Sequence, residues 1–232
     1  MLSFLSLSPD FRNPNLNVIP KRMNCPFCAV FGRFLDIVVS VIALLVFSPF
    51  LLLVAVCIYI EDNGNPFFVD HRVGKNKQTF NFYKFRSMFI NASDLERNNK
   101  KIYKQLRSGE HKVKDHPYVT KVGRFIRKYS IDEMPQFINV LLGDMSIVGP
   151  RALKIDEEDK FRTENPDIAK YLDVIFEVKP GITGFWQVSG RSKIDFEKRI
   201  KMEAYYARVK DIVNDILIML ETPLAVIRAE TH

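Results

Sequence analysis

Residues 37–60, IVVSVIALLVFSPFLLLVAVCIYI, carry no ionisable side chain except the phenol of Tyr59. The run is about as long as the ~20 apolar residues a bilayer span requires. The chain therefore meets a membrane, and the rest of the fold must be built around that encounter. The run exceeds the ~7–15 apolar residues of a signal peptide, and no small-x-small cleavage site follows it. Ser48-Pro49 interrupts it near the middle, where a proline removes one helical hydrogen bond and invites a bend. Lys21, Arg22 and Arg33 precede the run, and Arg72, Lys75 and Lys77 follow it. Because cytoplasmic flanks collect Lys and Arg, both ends are expected on the cytosolic side. A re-entrant helix bent at Ser48 and Pro49 meets that condition, whereas a straight one would strand a basic tail outside.

The chain has 232 residues and a net charge of +7, enough for one sizeable folded body with an anionic partner. Nucleic acid, a lipid surface and a phosphorylated substrate all fit that charge. A membrane-tethered nucleic-acid-binding or scaffold protein, with a basic aromatic hairpin as its contact surface, is the alternative reading from another class. Cys25, Cys28 and Cys57 give no paired framework, so a reducing, cytosol-facing location is expected, with Cys25 and Cys28 a pair of thiols near the membrane. The expected organisation is a mobile tail over residues 1–28, the membrane helix over 29–62 and a cytosol-facing body over 63–232.

Beyond the apolar run, NPFFVDHRVGKNKQTFNFYKFRSM reads as strand, turn, strand around Gly74-Lys75-Asn76-Lys77. The period of two puts Phe80, Phe82, Lys84, Arg86 and Met88 on one face of the second strand. Such a face suits an anion, and equally a charged, solvated sheet edge. Residues 91–116 are a charged surface excursion. Val122, Phe125, Ile126 and Tyr129 then follow helical spacing, and a break at Ser130 implies two short helices ending near Gly143. A polar helix is expected over residues 156–171, then the Gly-rich loop VKPGITGFWQVSGRS. One long amphipathic helix is expected over 196–220, closed by Thr222-Pro223, with its stripe packed in the core or lying on the bilayer.

The acid pair Asp132-Glu133 stands near a helix start. Ser130 and Glu133 form an S-x-x-E capping box, while Met134 and Pro135 fit a cap and first position of a helix beginning a few residues later. Acids at such a place stabilise the helix. An ionised aspartate there also has the chemistry to attack a phosphoryl group, if cations or a metal offset the repulsion. Lys84, Arg86, Arg127 and Arg151 are the candidate cations. Glu133 is a natural oxygen ligand for Mg²⁺, and Gly149-Pro150 is a turn able to present the Arg151 fork.

These residues fall in ordered motifs: FSPF, HRVG, YKFRSM, KVGRFIRKYSIDEMPQFINVLLGDMSIVGPR, KPGITGFWQVSGR, and a late YY with Asp215 and Thr222. Through them the chain resembles, over residues 31–227, the small monotopic polyprenyl-phosphate phosphoglycosyl transferases of the bacterial sugar transferase family. The resemblance implies an α+β protein, in which a re-entrant membrane helix precedes a cytosolic body with a β-hairpin and amphipathic helices lying on the bilayer. It implies an enzyme at the cytosolic face of the bacterial inner membrane, with both termini cytosolic. That enzyme passes a sugar-1-phosphate from a UDP-sugar to polyprenyl (undecaprenyl) phosphate, releases UMP, and takes the first membrane step of glycoconjugate assembly. Asp132 matches the nucleophile that carries the phosphosugar, and Glu133 the residue associated with Mg²⁺. Arg151 matches the phosphate-binding arginine, with Lys84, Arg86, Arg127, Gln187 and Arg191 as supporting substrate or phosphate positions. Nucleic acid is not an expected partner, downstream glycosyltransferases are, and homo-oligomerisation stays open. Ala152 replaces a usual second proline, so a looser Arg151 turn is expected.

Overall fold

The computed structural model describes residues 14–21, 26–92, 116–190 and 194–229. It is a mixed helix-and-strand fold. In chain order the elements are α1 (Pro26–Asp62), β1 (Phe67–Val73), β2 (Thr79–Phe85), α2 (Lys121–Lys128), α3 (Gln136–Leu142), β3 (Ser146–Val148) and β4 (Leu153–Lys154). Next come α4 (Ile155–Glu164), α5 (Pro166–Ile175), β5 (Gly181–Thr183), α6 (Phe185–Ser189), α7 (Phe196–Val209) and α8 (Ile212–Ala229). Most of the charged excursion expected before His116, Cys25 and the start of the tail lie outside the described residues.

Helix α1 holds the apolar run, with Pro49 inside it. From Cys28 to Asp62 it is long and apolar enough to cross a membrane, and protein buries 17% of its most apolar window. Every residue from 45 to 50 is exposed, and Leu52 and Leu53 remain 67% and 59% exposed. Apolar surface of that extent is stable only against lipid or a partner, and the protein is membrane-associated. Cys28 is disulfide-bonded, which corrects the reading of it as a free thiol. Cys57 is free and exposed.

The chain divides into two compact units, one of residues 1–46, 69–82 and 136–232, the other of 47–68 and 83–135. The division inside α1 falls beside Ser48-Pro49. In the first unit, Arg33 donates to the carbonyls of Val140 at 2.6 Å and Leu141 at 3.0 Å. Carbonyls in the last turn of a helix lack intrahelical partners, and a cation suits that end of the dipole. Asp36, buried, accepts from Ser146 Oγ and the Ile147 amide, both at 2.8 Å. These two charges tie the first part of α1 to the end of α3 and to β3.

Strand β3 pairs in parallel with β5, Ser146 opposite Gly181 and Val148 opposite Thr183. A three-stranded sheet in the order β2-β1-β4 sets Arg72 opposite Lys154 in an antiparallel pair. The hairpin turn matches expectation, with Asn76 and Lys77 at φ 56° and 60°. One core cluster joins Tyr171, Leu172 and Ile175 of α5 to Ile200, Ala204 and Ala207 of α7. A second joins Met145, Val148, Phe185, Tyr206 and Ile218. Part of the expected tail rests on this unit: Leu16 and Ile19 pack on the two clusters, and the Tyr171 hydroxyl donates to the Asn17 carbonyl at 3.3 Å.

Three helix boundaries differ from the sequence reading. Residues 156–171 are split between α4 and α5 at Asn165-Pro166, because Pro166 has no amide to continue α4 and is well placed to start α5. The long amphipathic helix is also two, α7 and α8. Lys210 leaves helical geometry at ψ 124°, and Asp211 Oδ1 accepts the amides of Val213 at 2.8 Å and Asn214 at 3.0 Å. Pro223 does not end α8, which runs on to Ala229. Val213, Ile216, Leu220, Leu224 and Ile227 form an exposed apolar stripe on α8, so the outer part of the expected stripe is not core.

In the second unit, Val54 and Ile58 of α1 pack with Phe85 and Ile126. Glu61 accepts the first amides of α2, Lys121 at 2.7 Å and Val122 at 3.1 Å, and Thr120 Oγ1 caps Gly123 at 2.8 Å. Ile126 turns inward, but Phe125 and Tyr129 stay exposed with rings 4.9 Å apart. Helical spacing alone had grouped all of them on one face.

Candidate active site

The acid pair lies in a short 3-10 turn, Ile131–Glu133, which follows Ser130 in the left-handed region at φ 56°. Ser130 makes no side-chain cap, so the expected capping box does not form. The reason is geometric: a left-handed residue points its side chain away from the amides it would have to reach, whereas a capping residue is extended. Helix α3 begins later, after Pro135, which is nearer the second of the two starts read from the sequence.

Lys84 Nζ stands 2.9 Å from Glu133 Oε1. The Asp132 carboxyl is pushed up to about 6, first by loss of solvent and further by the charge of Glu133, while Lys84 and Arg127 pull it back. Lys84 and Arg127 thus both act through their charge on the acid pair. Arg86 is differently engaged. Its guanidinium pairs with both oxygens of Asp62, one at 2.6 Å, and donates to the Asn65 carbonyl at 2.6 Å. The structure brings together Asp132, Glu133, Lys84 and Arg127, and holds Arg86 on the end of α1.

Arg151 and Gln187 belong to the first unit. The Arg151 amide donates to Glu203 Oε1 at 2.9 Å, and the Ala152 carbonyl accepts from Arg72 at 3.1 Å. Gln187 sits in α6, its buried Oε1 without a hydrogen-bond partner among the described residues. Arg191 lies outside the described residues. The turn before Arg151 crosses β5 closely: the Pro150 carbonyl accepts from the Gly181 amide at 2.8 Å, and the Gly149 amide donates to the Thr183 carbonyl at 2.9 Å. A Cβ on Gly149 would stand 2.5 Å from the Lys179 carbonyl, so only glycine fits.

The sequence reading missed Asp62 as the partner of Arg86, and Glu203 as the partner of Arg151. It also missed Arg33 and Asp36 as anchors. A signal for the last two existed: two opposite charges three residues apart at the head of an apolar helix are on one face and need partners there.

The profile of the family described as Bacterial sugar transferase matches residues 27–229. The chain is 38% identical over 202 residues to the undecaprenyl-phosphate galactose phosphotransferase of Salmonella typhimurium, covering 85% of this chain and 40% of that protein. It is 41% identical over 191 residues to galactosyl transferase CpsE of Streptococcus agalactiae, covering 82% and 40%. With exopolysaccharide production protein ExoY of Sinorhizobium fredii it shares 33% identity over 205 residues, covering 87% of each. The chain thus spans about 40% of the length of the first two of these relatives and most of the third. With its profile matched from the start of α1 almost to the end of α8, the chain belongs to the bacterial sugar transferase family.

Proposed function

We propose that the chain transfers a sugar-1-phosphate from a UDP-sugar to polyprenyl phosphate, releasing UMP, as a first membrane step of glycoconjugate assembly. The observation that carries the reading is Asp132: a carboxylate with raised pKa, beside one further acid and two cations, in a chain of this family. Asp132 attacks the phosphorus that bears the sugar and the anhydride bond to UMP breaks. A polyprenyl phosphate oxygen then attacks that phosphorus, the acyl phosphate bond breaks, and the Asp132 carboxylate returns. Lys84 and Arg127 lower the cost of bringing a diphosphate to an acid pair, and Arg151 offers a fork for phosphate oxygens.

Among the described residues no cluster of three acidic, imidazole or thiol groups makes a metal cage. Two adjacent carboxylates, one with its pKa raised by loss of solvent and further by the other's charge, nonetheless fit Mg²⁺ held by one or two protein oxygens and by substrate phosphates, with Glu133 as the protein ligand. Bound there, such an ion would neutralise charge on the diphosphate. The test is UMP release from a panel of UDP-sugars with polyprenyl phosphate in nanodiscs. Release is expected with at least one donor and should stop in excess EDTA. No release with any donor sinks the transferase reading, and full activity in EDTA removes the metal.

The membrane helix in this reading is re-entrant, with both ends cytosolic. Its first part is bonded to residues of the body through Arg33 and Asp36, and its last part through Glu61 and Asp62. Its middle, residues 45–50, is bare throughout. Among the described residues no second helix is long and apolar enough to carry the chain back across a bilayer. Polar anchors near both ends of α1, each made within its own unit, support an entry and an exit by one face. Val18, exposed, is replaced by Cys in a variant whose three native cysteines are Ser, and sealed spheroplasts are treated with an impermeant maleimide. Shielding until permeabilisation is expected. Labelling of sealed spheroplasts would mean that α1 spans.

A further inference from the structure

The Arg151 turn is gripped at both ends by one helix. At its start the Val148 carbonyl accepts from Lys210 Nζ, the C-cap of α7, at 2.9 Å. At its end the Arg151 amide donates to Glu203 Oε1 at 2.9 Å. Glu203 and Lys210 are seven residues apart, two helical turns, and so lie on one face of α7. Between them Tyr206 donates to Asp215 at 2.5 Å with its hydroxyl 3.2 Å from the same Val148 carbonyl.

Glu203 is 1% exposed, a place where a carboxylate is costly and pushed toward its neutral form by burial. Its compensation is Arg199, one turn back, with Nε 3.6 Å from Oε1. The Arg199 guanidinium lies over the Trp186 ring at 4.6 Å and the Phe196 ring at 5.6 Å. The carboxylate is thus fixed from behind and spends its bond on a backbone amide. Glu203 holds the turn through the Arg151 amide, while the Arg151 guanidinium acts on the carboxylate only through its charge among the described interactions.

We propose that Glu203 is a positioning residue for the transfer: acting through the Arg151 amide, it sets the turn so that the guanidinium meets a phosphate of the donor in one orientation. This rests on the reading of Arg151 as the phosphate-binding arginine. With Ala152 where a second proline would stiffen the turn, the order comes from α7 instead.

The test is a double-mutant cycle on the full chain in nanodiscs, using Glu203→Met, Arg151→Ala and the pair. It reads KM for the UDP-sugar that wild type turns over and Kd for UDP, which needs no turnover. Glu203→Met is expected to raise both by about tenfold or more. Glu203→Gln keeps an acceptor for the Arg151 amide and should return both to within about threefold of wild type. In the Arg151→Ala background, Glu203→Met should add nothing further, since the group it positions is gone. If Glu203→Met fails to fold, Lys210→Met reads the other end of the turn, with the same loss of effect expected without Arg151. Equal losses with and without Arg151, or a Gln variant as poor as Met, overturn the proposal. A wild type that binds UDP and releases no UMP removes the transferase reading while the cycle still stands in UDP affinity. One that does not bind UDP removes both.

Discussion

Asp132→Asn is expected to leave a folded protein with no measurable turnover. An amide is not a nucleophile toward phosphorus, and loss of a nucleophile that works as a unit with its neighbours costs on the order of 10⁴-fold or more. Stability should hold or rise. The folded-state pKa of Asp132 lies above its unfolded value, so the folded state gains relative stability as pH falls through about 6 and is penalised above it, where the carboxylate is charged. A neutral Asn removes that penalty at neutral pH. Wild type given labelled UDP-sugar and no acceptor should retain label, and Asp132→Asn should not. Incorporation should also decline as pH drops below about 6, because only the ionised form attacks. A wild type that never carries label, with kinetics requiring both substrates bound together, would replace the covalent route by a one-step transfer.

Asp36→Ala should give the largest loss of stability. The change leaves the Ser146 hydroxyl and the Ile147 amide, both buried, without the acceptor they share. Stranded buried donors cost about 1–3 kcal/mol each, so a total of about 3 kcal/mol is expected. For a chain of this size that is a Tm lower by about 6–12 °C. Asp36→Asn, which keeps one oxygen, should fall between. The measurement is thermal unfolding in detergent at fixed protein and detergent concentration. An unchanged Tm would show that the Asp36 anchor contributes nothing to the folded state in that environment.

Much of the local structure was legible. The apolar run announced α1, and the Gly74-Lys75-Asn76-Lys77 stretch announced the hairpin, because both signals are local and strong. The sequence also grouped Asp132 and Glu133 with Lys84 and Arg127. What it missed depends on distant partners. Arg86 looked like a phosphate ligand because strand periodicity gives its face but says nothing of Asp62, which takes its guanidinium. Strands β3, β4 and β5 are two or three residues long and exist through pairing across the chain, so no periodic run marks them. Ser130 satisfied a capping pattern by spacing, but the left-handed turn there is set by the way the chain leaves α2, not by the motif. Glu203 sits in a stretch whose period is helical whether or not its carboxylate meets Arg151.

The partners of Arg33 and Asp36 are 107 to 111 residues further along the chain. On a ribosome that interval is a waiting time. The helix reaches the lipid while neither Val140 nor Ile147 has been made, whereas residues 47–68 and 83–135, the whole of the second unit, are complete before α3 begins. Two charged side chains at the head of an apolar helix must stay in the wet headgroup zone until then, since burial without a partner is what the hydrocarbon forbids. Synthesis therefore runs from the membrane toward the catalytic body. The bonds between α1 and the segment that joins the acid pair to Arg151 close only after the helix is made, and those from α7 to the Arg151 turn close later still.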